Sequence, residues 1–402
     1  MTQYLTPPVA DDDLATCVSC GLCLPHCPTY RATGEETRSP RGRIAVIKCV
    51  RDDGGIYDQE SAAMLNSCIQ CRGCEPACPS GVPYGRIIGR ARQALVEQGL
   101  STSSRSSSFA LRIGLKALTW PRFLSVAGRL IAGAHRFHLV PQRWILGPLP
   151  VRLGRRLSST TTDPEVWIFT GCVMDVWMRQ THRNTAALVM ATGKSVSVPQ
   201  RRGACCGALH QHAGLDGEAH RLAEEVMNSM PGDQPIVVNS AGCGAALKEY
   251  GELLGTPEAH RFAERIKDIH EWLEPLMPEM CSTAGEEKKT DSKPIQVVLQ
   301  DPCHLRHVQK SHTAVKKVLE HVANVITIDD DGLCCGAGGS YSLMQPALAH
   351  QVRQQKVESI RRAADGQNLI VASANPGCAM FLAQAGLTVR HPVDIVAEQL
   401  GL

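Results

Sequence analysis

Eight of the 18 cysteines in this 402-residue chain fall in two short runs. CVSCGLCLPHCP sets Cys17, Cys20, Cys23 and Cys27 ahead of Pro28, and CIQCRGCEPACP sets Cys68, Cys71, Cys74 and Cys78 ahead of Pro79. Both read C-x2-C-x2-C-x3-C-P. A cubane [4Fe–4S] cluster wants one thiolate on each of its four iron corners. A loop with two-residue spacers wraps three corners, and in two-cluster ferredoxins the fourth cysteine of each run ligates the other cluster. The spacing therefore predicts one cluster on Cys17, Cys20, Cys23 and Cys78, and a second on Cys68, Cys71, Cys74 and Cys27. The exchange forces the two clusters close enough for an electron to pass between them. Four thiolates also suit zinc, but a zinc ribbon uses two separated pairs rather than three plus one. The cofactors expected here are two [4Fe–4S] clusters.

Eight more cysteines follow a different order: Cys172, Cys205, Cys206 and Cys243, then Cys303, Cys334, Cys335 and Cys378. The offsets between copies are 131 from Cys172 to Cys303, 129 from Cys205 to Cys334 and 135 from Cys243 to Cys378. Near-constant offsets mean an internal duplication, jointed at MCSTAGEEKKTDSK, which reads as a polar loop around residues 281–293. Each four-thiol set has three readings: a further iron–sulfur cluster, structural zinc, or thiols that are simply buried. Metal in at least one copy is favoured, because gathered thiolates are costly without a cation. Catalytic Cys–His pairs, at Cys303–His304 or at Cys206 with His210 and His212, fit less well, since adjacent cysteines suit ligation better than attack. Gly207 and Gly336 follow the doublets, where the lack of a Cβ lets backbone N–H groups approach sulfur. Cys49 and Cys281 are left as ordinary thiols.

The elements that must hold these thiols give an α+β multidomain chain. Residues 1–100 read as a helical ferredoxin-type domain. The forty residues between Cys27 and Cys68 contain SPRGRIAVIKCV, a turn at Pro40 followed by an amphipathic helix. From residue 164, β-branched runs alternate with helical patterns such as Leu215, Ala219, Leu222, Ala223, Val226 and Met227. This order predicts two α/β units with mainly parallel sheets, 164–285 and 293–402. EVWIFTGC, KSVSVP and QPIVVNSAGC supply the strands of the first, and PIQVVLQDPC, NVITID and NLIVASANPGC those of the second. Each cysteine follows a strand's carboxyl end, where open α/β sheets place ligands.

Between these parts lies a linker, 101–163. Residues 101–160 hold ten Lys or Arg and no Asp or Glu. The segment opens on STSSRSSS, a flexible linker by composition, and continues as short amphipathic helices broken at Pro121, Pro141, Pro148 and Pro150. Two readings stand level: a basic helical surface packed on the chain's own core or a partner, and a peripheral contact with anionic lipid. The net charge of +3 and the absence of a reading motif give no reason to expect nucleic acid. The N-terminus shows no signal peptide and no apolar run of spanning length occurs, so a reducing, cytoplasmic setting is expected, peripheral at most to the inner face of a membrane. No convincing G-x-G-x-x-G strand–turn–helix fingerprint is present, so flavin or nicotinamide is not expected here by that route.

The tandem C-x2-C-x2-C-x3-C-P motifs followed by two CCG units resemble one group. It includes heterodisulfide reductase subunits and the iron–sulfur subunits of anaerobic glycerol-3-phosphate dehydrogenase and glycolate oxidase. CPTYRATGEETRSPRGRI, SAGCGAALKEYG, LCCGAGGSYSL and VRHPVDIVAEQL look closest to the glycolate oxidase branch. The resemblance covers nearly the whole chain outside the basic middle. It implies an electron-transfer subunit of a glycolate dehydrogenase: a flavin-bearing partner oxidises glycolate to glyoxylate, and electrons leave singly through this chain toward quinone. The eight N-terminal cysteines would carry that relay, with no substrate chemistry on this chain. The wider CCG pattern ends each unit with C-x2-C, whereas Ser240 and Asn375 stand at the first of those positions here. That argues against five-thiol clusters and leaves four-thiol sites open. The rival readings are a D-lactate or other 2-hydroxy-acid dehydrogenase subunit, a thiol or disulfide reductase acting at Cys205–Cys206 or Cys334–Cys335, and a zinc-stabilised scaffold.

Overall fold

The computed structural model describes residues 9–100, 105–136, 154–159, 161–199, 205–287, 294–330 and 332–402. The architecture is α+β, with a helical N-terminal part and two parallel sheets. The chain divides into two compact units: residues 1–116 with 207–219 and 330–356, and residues 117–206 with 220–329 and 357–402. These units do not follow the sequential boundaries, since a short piece from inside each duplicated unit gathers with the N-terminal part.

The first unit is helical and built around the two cysteine runs. Ser39 caps the helix Pro40–Asp52, its Oγ accepting from the Gly42 N–H at 3.0 Å. Pro40 opens that helix, where its missing N–H costs nothing. Asp58 caps the helix Gln59–Asn66 in the same way, accepting from the Ser61 N–H at 2.7 Å. Ile44 and Ile47 pack with Leu65 and with Ile87, Ile88 and Leu95 of the helix Tyr84–Glu97, and Cys68 and Cys74 belong to the same core. Burying each such aliphatic side chain contributes about 2 kcal/mol, so the core that stabilises the unit also fixes the cysteine loops. The helix Arg105–Leu118 starts inside the serine-rich stretch expected to be linker. The apolar residues that follow, among them buried Leu115, carry the helix back into it.

The second unit holds both sheets. β1 (Val166–Phe169), β2 (Val196–Ser197), β3 (Ile236–Val238) and β4 (Ile266–Asp268) form one sheet in the order β2-β1-β3-β4. β5 (Ile295–Gln300), β6 (Ala323–Thr327), β7 (Ile370–Ser373) and β8 (Val389–Arg390) form the other in the order β6-β5-β7-β8. Every pairing is parallel, as in Ile168↔Val237 and Val298↔Val371. The six strands read from sequence are present, and a fourth in each sheet was not foreseen. The joint expected as a polar loop from 281 is helical to Glu287, because buried Met277 and Met280 extend an apolar face into it; residues 288–293 lie outside the described residues, as does the basic stretch 137–153. The helix Pro121–Arg136 begins at the predicted proline break.

The two repeats share one apolar core and meet at equivalent points. The Ala241 N–H donates to the Ala374 carbonyl at 3.0 Å, and the Gly242 N–H to Asn375 Oδ1 at 3.1 Å. Asp394 accepts from Thr181 Oγ1 and Asn184 Nδ2, both at 2.8 Å. Between the repeats lies a buried polar hub. His391 Nε2–H donates to the Asn239 carbonyl at 2.8 Å, and Asn239 Nδ2 donates to His182 Nδ1 at 3.0 Å.

That hub makes stability depend on acid. Burial holds His182 down at about 4, and burial with the neighbouring His270 holds His391 down at about 3. The unfolded chain binds these protons near pH 6.5. Stability is therefore full above that pH and is lost as pH falls toward the folded values. At pH 5 each histidine is expected to cost about 2 kcal/mol. Trp167, Trp177 and Trp272 all lie in this unit, so their fluorescence during denaturant unfolding reads it. Equal midpoints at pH 7.5 and pH 5 would contradict the assignment.

Candidate metal centres

The two N-terminal runs fold into loops of one design. Ser19 and Gly21 have φ of +57° and +86°, and Gln70 and Arg72, at the same offsets in the second run, have φ of +61° and +59°. Three of these four residues carry a Cβ, so the left-handed turns are strained. They persist because alternating turns aim backbone N–H groups inward, as in other anion and iron–sulfur cradles. The Gln70 N–H already points at Cys68 Sγ, 3.3 Å away.

Each loop walls a cavity that also contains the last cysteine of the other run. Cys17, Cys20 and Cys23 share one with Cys78. Cys68, Cys71 and Cys74 share the other with Cys27. Cys74 also reaches the wall of the first cavity, and Pro40 and Tyr84 touch both. Cys20 is exposed, Cys17, Cys23, Cys71 and Cys78 are half-buried, and Cys27, Cys68 and Cys74 are buried. Among the described residues no three Cys, His, Asp or Glu side chains gather as a single-ion site would need. A cubane makes a different demand, with its thiolates spread over four corners, and the two cavities fit it.

Burial raises the Cys23, Cys27 and Cys74 thiols, and neighbouring cysteines push them further. Thiolates here need positive charge and hydrogen bonds. One source is Arg43, which is 1% exposed. It donates to the Met64 carbonyl at 3.0 Å, Thr29 Oγ1 at 3.0 Å and Ser67 Oγ at 2.8 Å. Burial alone would lower its pKa, but Tyr84, Cys68 and Cys27 beside it hold it up. Tyr84 Oη lies 3.8 Å from Cys68 Sγ, within sulfur hydrogen-bond range, and Arg92 Nη2 donates to the Cys68 carbonyl at 2.5 Å. None of these residues was singled out from sequence. The signal for Arg43 was there: it is in phase with Ile47 and Val50 on the buried face of its helix.

In the first duplicated unit, Cys172 follows β1 and Cys243 follows β3, the adjacent strands at which the chain order reverses. Cys205 and Cys206 join them. Cys172 is raised by its hydrogen bond with Cys205 and by burial, and Cys206 by its hydrogen bond with Cys243 and by burial. Cys243 is lowered by Cys206 and, less, by Ser240. The thiols pair, Cys172 with Cys205 and Cys206 with Cys243, and such buried neighbours release few protons without a cation, which is the chemistry of a donor set for a metal group. Tyr250, fully buried, donates to the Cys206 carbonyl at 2.9 Å.

The second set is divided between the units: Cys303 and Cys378 belong with β5 and β7, and Cys334 and Cys335 with the helical unit. The Gly336 N–H approaches Cys334 Sγ at 3.4 Å, and Asn375 Nδ2 approaches Cys378 Sγ at 3.4 Å. Gly207 and Gly336 have φ of +78° and +88°. Ser240 and Asn375, at the replaced cysteine positions, thus serve as hydrogen-bond partners of the remaining thiol. Cys303 lies 3.7 Å from His304 Nδ1. Cys49 is exposed and Cys281 half-buried.

Known proteins resemble this chain along nearly its whole length. A 4Fe–4S dicluster domain matches residues 13–82, and a cysteine-rich domain matches 166–248 and again 297–383. The glycolate oxidase iron–sulfur subunit of Escherichia coli is 31% identical over 97% of this chain and 95% of its own length. The probable glycolate oxidase iron–sulfur subunit of Bacillus subtilis is 29% identical over the same shares. A subunit of the dihydromethanophenazine:CoB–CoM heterodisulfide reductase of Methanosarcina barkeri is 24% identical, again over 97% and 95%. With its dicluster loops, duplicated cysteine-rich units and near-complete coverage, the chain belongs to the family of glycolate oxidase iron–sulfur subunits.

Proposed function

We propose that this chain carries electrons, one at a time, out of a flavin-dependent glycolate dehydrogenase. Cys17, Cys20, Cys23 and Cys78 hold one cubane, and Cys68, Cys71, Cys74 and Cys27 hold the other. When bound, the cubanes supply one-electron carriers. The chain's own residues fix them: the left-handed turns aim N–H groups at sulfur, Arg43 offsets thiolate charge, and the apolar core keeps water from the second site. A flavin-bearing partner oxidises glycolate to glyoxylate, which releases two electrons and two protons, and the electrons leave through this chain toward quinone. The observation that carries the reading is the pair of cavities with exchanged cysteines.

The first duplicated unit holds a further iron–sulfur group on Cys172, Cys205, Cys206 and Cys243. A contact with the cytoplasmic face of the membrane is supported by apolar side chains that face water on basic helices. Phe109 and Ile113 are exposed on Arg105–Leu118, and Phe123, Val126 and Leu130 on Pro121–Arg136. No helix among the described residues is long and apolar enough to cross a membrane.

The assembled complex tests the substrate. Glycolate is expected to bleach the visible absorbance of this chain at least about tenfold faster than D-lactate, a difference of about 1.4 kcal/mol in barrier. Faster bleaching by D-lactate would move the assignment to that acid. Turnover of a heterodisulfide by the isolated chain would favour the thiol reading, which the likeness to the Methanosarcina barkeri protein raises.

A further inference from the structure

The two N-terminal cysteine loops share one design but not one environment. Counted from the first cysteine of each run, Val18 and Ser19 correspond to Ile69 and Gln70, and Leu22 to Gly73. Val18 is 69% exposed, whereas Ile69 is 4% exposed. Leu22 is 55% exposed, and Ser19 and Cys20 between them also face water. The second loop is covered by a piece of its own unit. Gly338 packs on Ile69 so closely that a Cβ there would stand 2.9 Å from Ile69 Cγ2. Tyr341, itself buried, donates to the Ser67 carbonyl at 3.1 Å. Both residues come shortly after the Cys334–Cys335 doublet. Burial raises the Tyr341 hydroxyl, and Cys68 and, less, Cys334 add to it, so that group is in electrostatic reach of a cysteine from each segment. The tip of the second loop is thus closed by a cysteine-bearing segment. The first loop has the same left-handed turns and the same apolar residue after its first cysteine, yet no described residue covers it.

The uncovered tip has the chemistry of a protein contact. VSCGL carries no charged side chain. Among the described residues that wall this cavity Arg41 is the only Lys, Arg, Asp or Glu, and it is spent on Glu36 at 2.7 Å and on the Ser19 carbonyl at 3.0 Å. Charge is depleted at the centre of protein interfaces, while an anionic lipid surface calls for cations. Cations accompany exposed apolar side chains elsewhere, on Arg105–Leu118 and Pro121–Arg136. Large apolar side chains held in water on both sides of a cluster ligand mark a surface that a partner covers.

We infer that the loop tip 18–22 is the docking surface for the flavin-bearing partner, and that electrons enter the chain there, at the first cubane. The inference rests on the relay proposed above. Electron tunnelling falls off steeply with distance, so the partner has to meet a corner that reaches the surface, and Cys20 provides it. The partner's reduced flavin loses two electrons, singly, across this loop, and two protons to solvent. The chain gains the electrons, and no bond forms between the proteins. The second loop, closed by Gly338 and Tyr341, is left for passage within the chain.

The test uses the anaerobically purified full chain and the flavin-bearing subunit of the same enzyme, with iron and sulfide measured on each sample. Val18→Glu and Leu22→Glu each put a charge on the tip without replacing a cluster ligand, and each is expected to weaken binding of that subunit by at least about tenfold. Ile56→Glu alters a residue that is 74% exposed and lines neither cluster cavity, and is expected to leave binding unchanged. Where a glutamate variant loses iron, carbene footprinting of the unaltered chain decides, and labelling of 17–23 is expected to fall severalfold in the complex. Full iron and sulfide with binding that neither substitution alters, or with 17–23 labelled as in the free chain, overturns the docking surface and leaves the relay standing. Protection of 17–23 by anionic vesicles or by a second copy of the chain, and not by the flavin-bearing subunit, overturns it too. A chain without iron and sulfide overturns the relay and the surface together.

Discussion

Cys78→Ala is expected to empty the site built on the other motif. Cys78 lies in the second run but lines the cavity of Cys17, Cys20 and Cys23. Its loss should remove about four irons and four sulfides per chain and one of two low-temperature EPR signals. The cluster on Cys68, Cys71 and Cys74 should remain. Cys27→Ala should do the converse and spare the first. Either variant, like Cys20→Ala, leaves a partner's flavin reducible by glycolate but stops transfer to quinone. If Cys78→Ala instead depleted the cluster of its own run, the cysteines would not be exchanged, and the short path between clusters would go with them.

Arg43→Leu is the second large effect, and it separates charge from packing. Removing the guanidinium takes a donor from three buried acceptors, the Met64 carbonyl, Thr29 Oγ1 and Ser67 Oγ, of which the Met64 carbonyl keeps only the Ser67 hydroxyl. Breaking such a buried charged network costs about 3–5 kcal/mol. The missing positive charge also makes the neighbouring cluster harder to reduce. Arg43 lines the cavity of that cluster, and a unit charge at such close range, at an effective dielectric of 20, is worth on the order of 100 mV for one electron. Arg43→Lys keeps the charge and loses the fork, so its potential should stay near that of the unaltered chain while its stability falls. Redox-poised EPR and denaturant unfolding of the two variants measure these separately. Equal potentials in both would show that Arg43 acts by packing alone.

The grouping of the N-terminal cysteines in two cavities was legible because spacing along the chain constrains what a short loop can reach. The sheets were legible where strands are apolar runs closed by cysteine. β4 and β8 were not, because Ile266–Asp268 and Val389–Arg390 are very short and run straight into helices. Asp268 and His391 cap those helices, so the local pattern reads as a helix start. The division into units was hidden for a different reason. Tyr341 meets Ser67 across 274 residues of chain, and no local pattern encodes a contact of that range. Arg43 and Gln70 escaped notice because a buried charge and a left-handed glutamine break the usual rules, and such breaks are expected where a site needs them.

The central claim is that eight N-terminal thiols hold two cubanes by exchanging a corner. Iron and acid-labile sulfide counted per anaerobically purified chain, with EPR after reduction, test it most directly. The account predicts at least about eight of each, with two spin-coupled signals that Cys78→Ala reduces to one. Zinc with no sulfide, persisting after reconstitution with iron and sulfide, would contradict it.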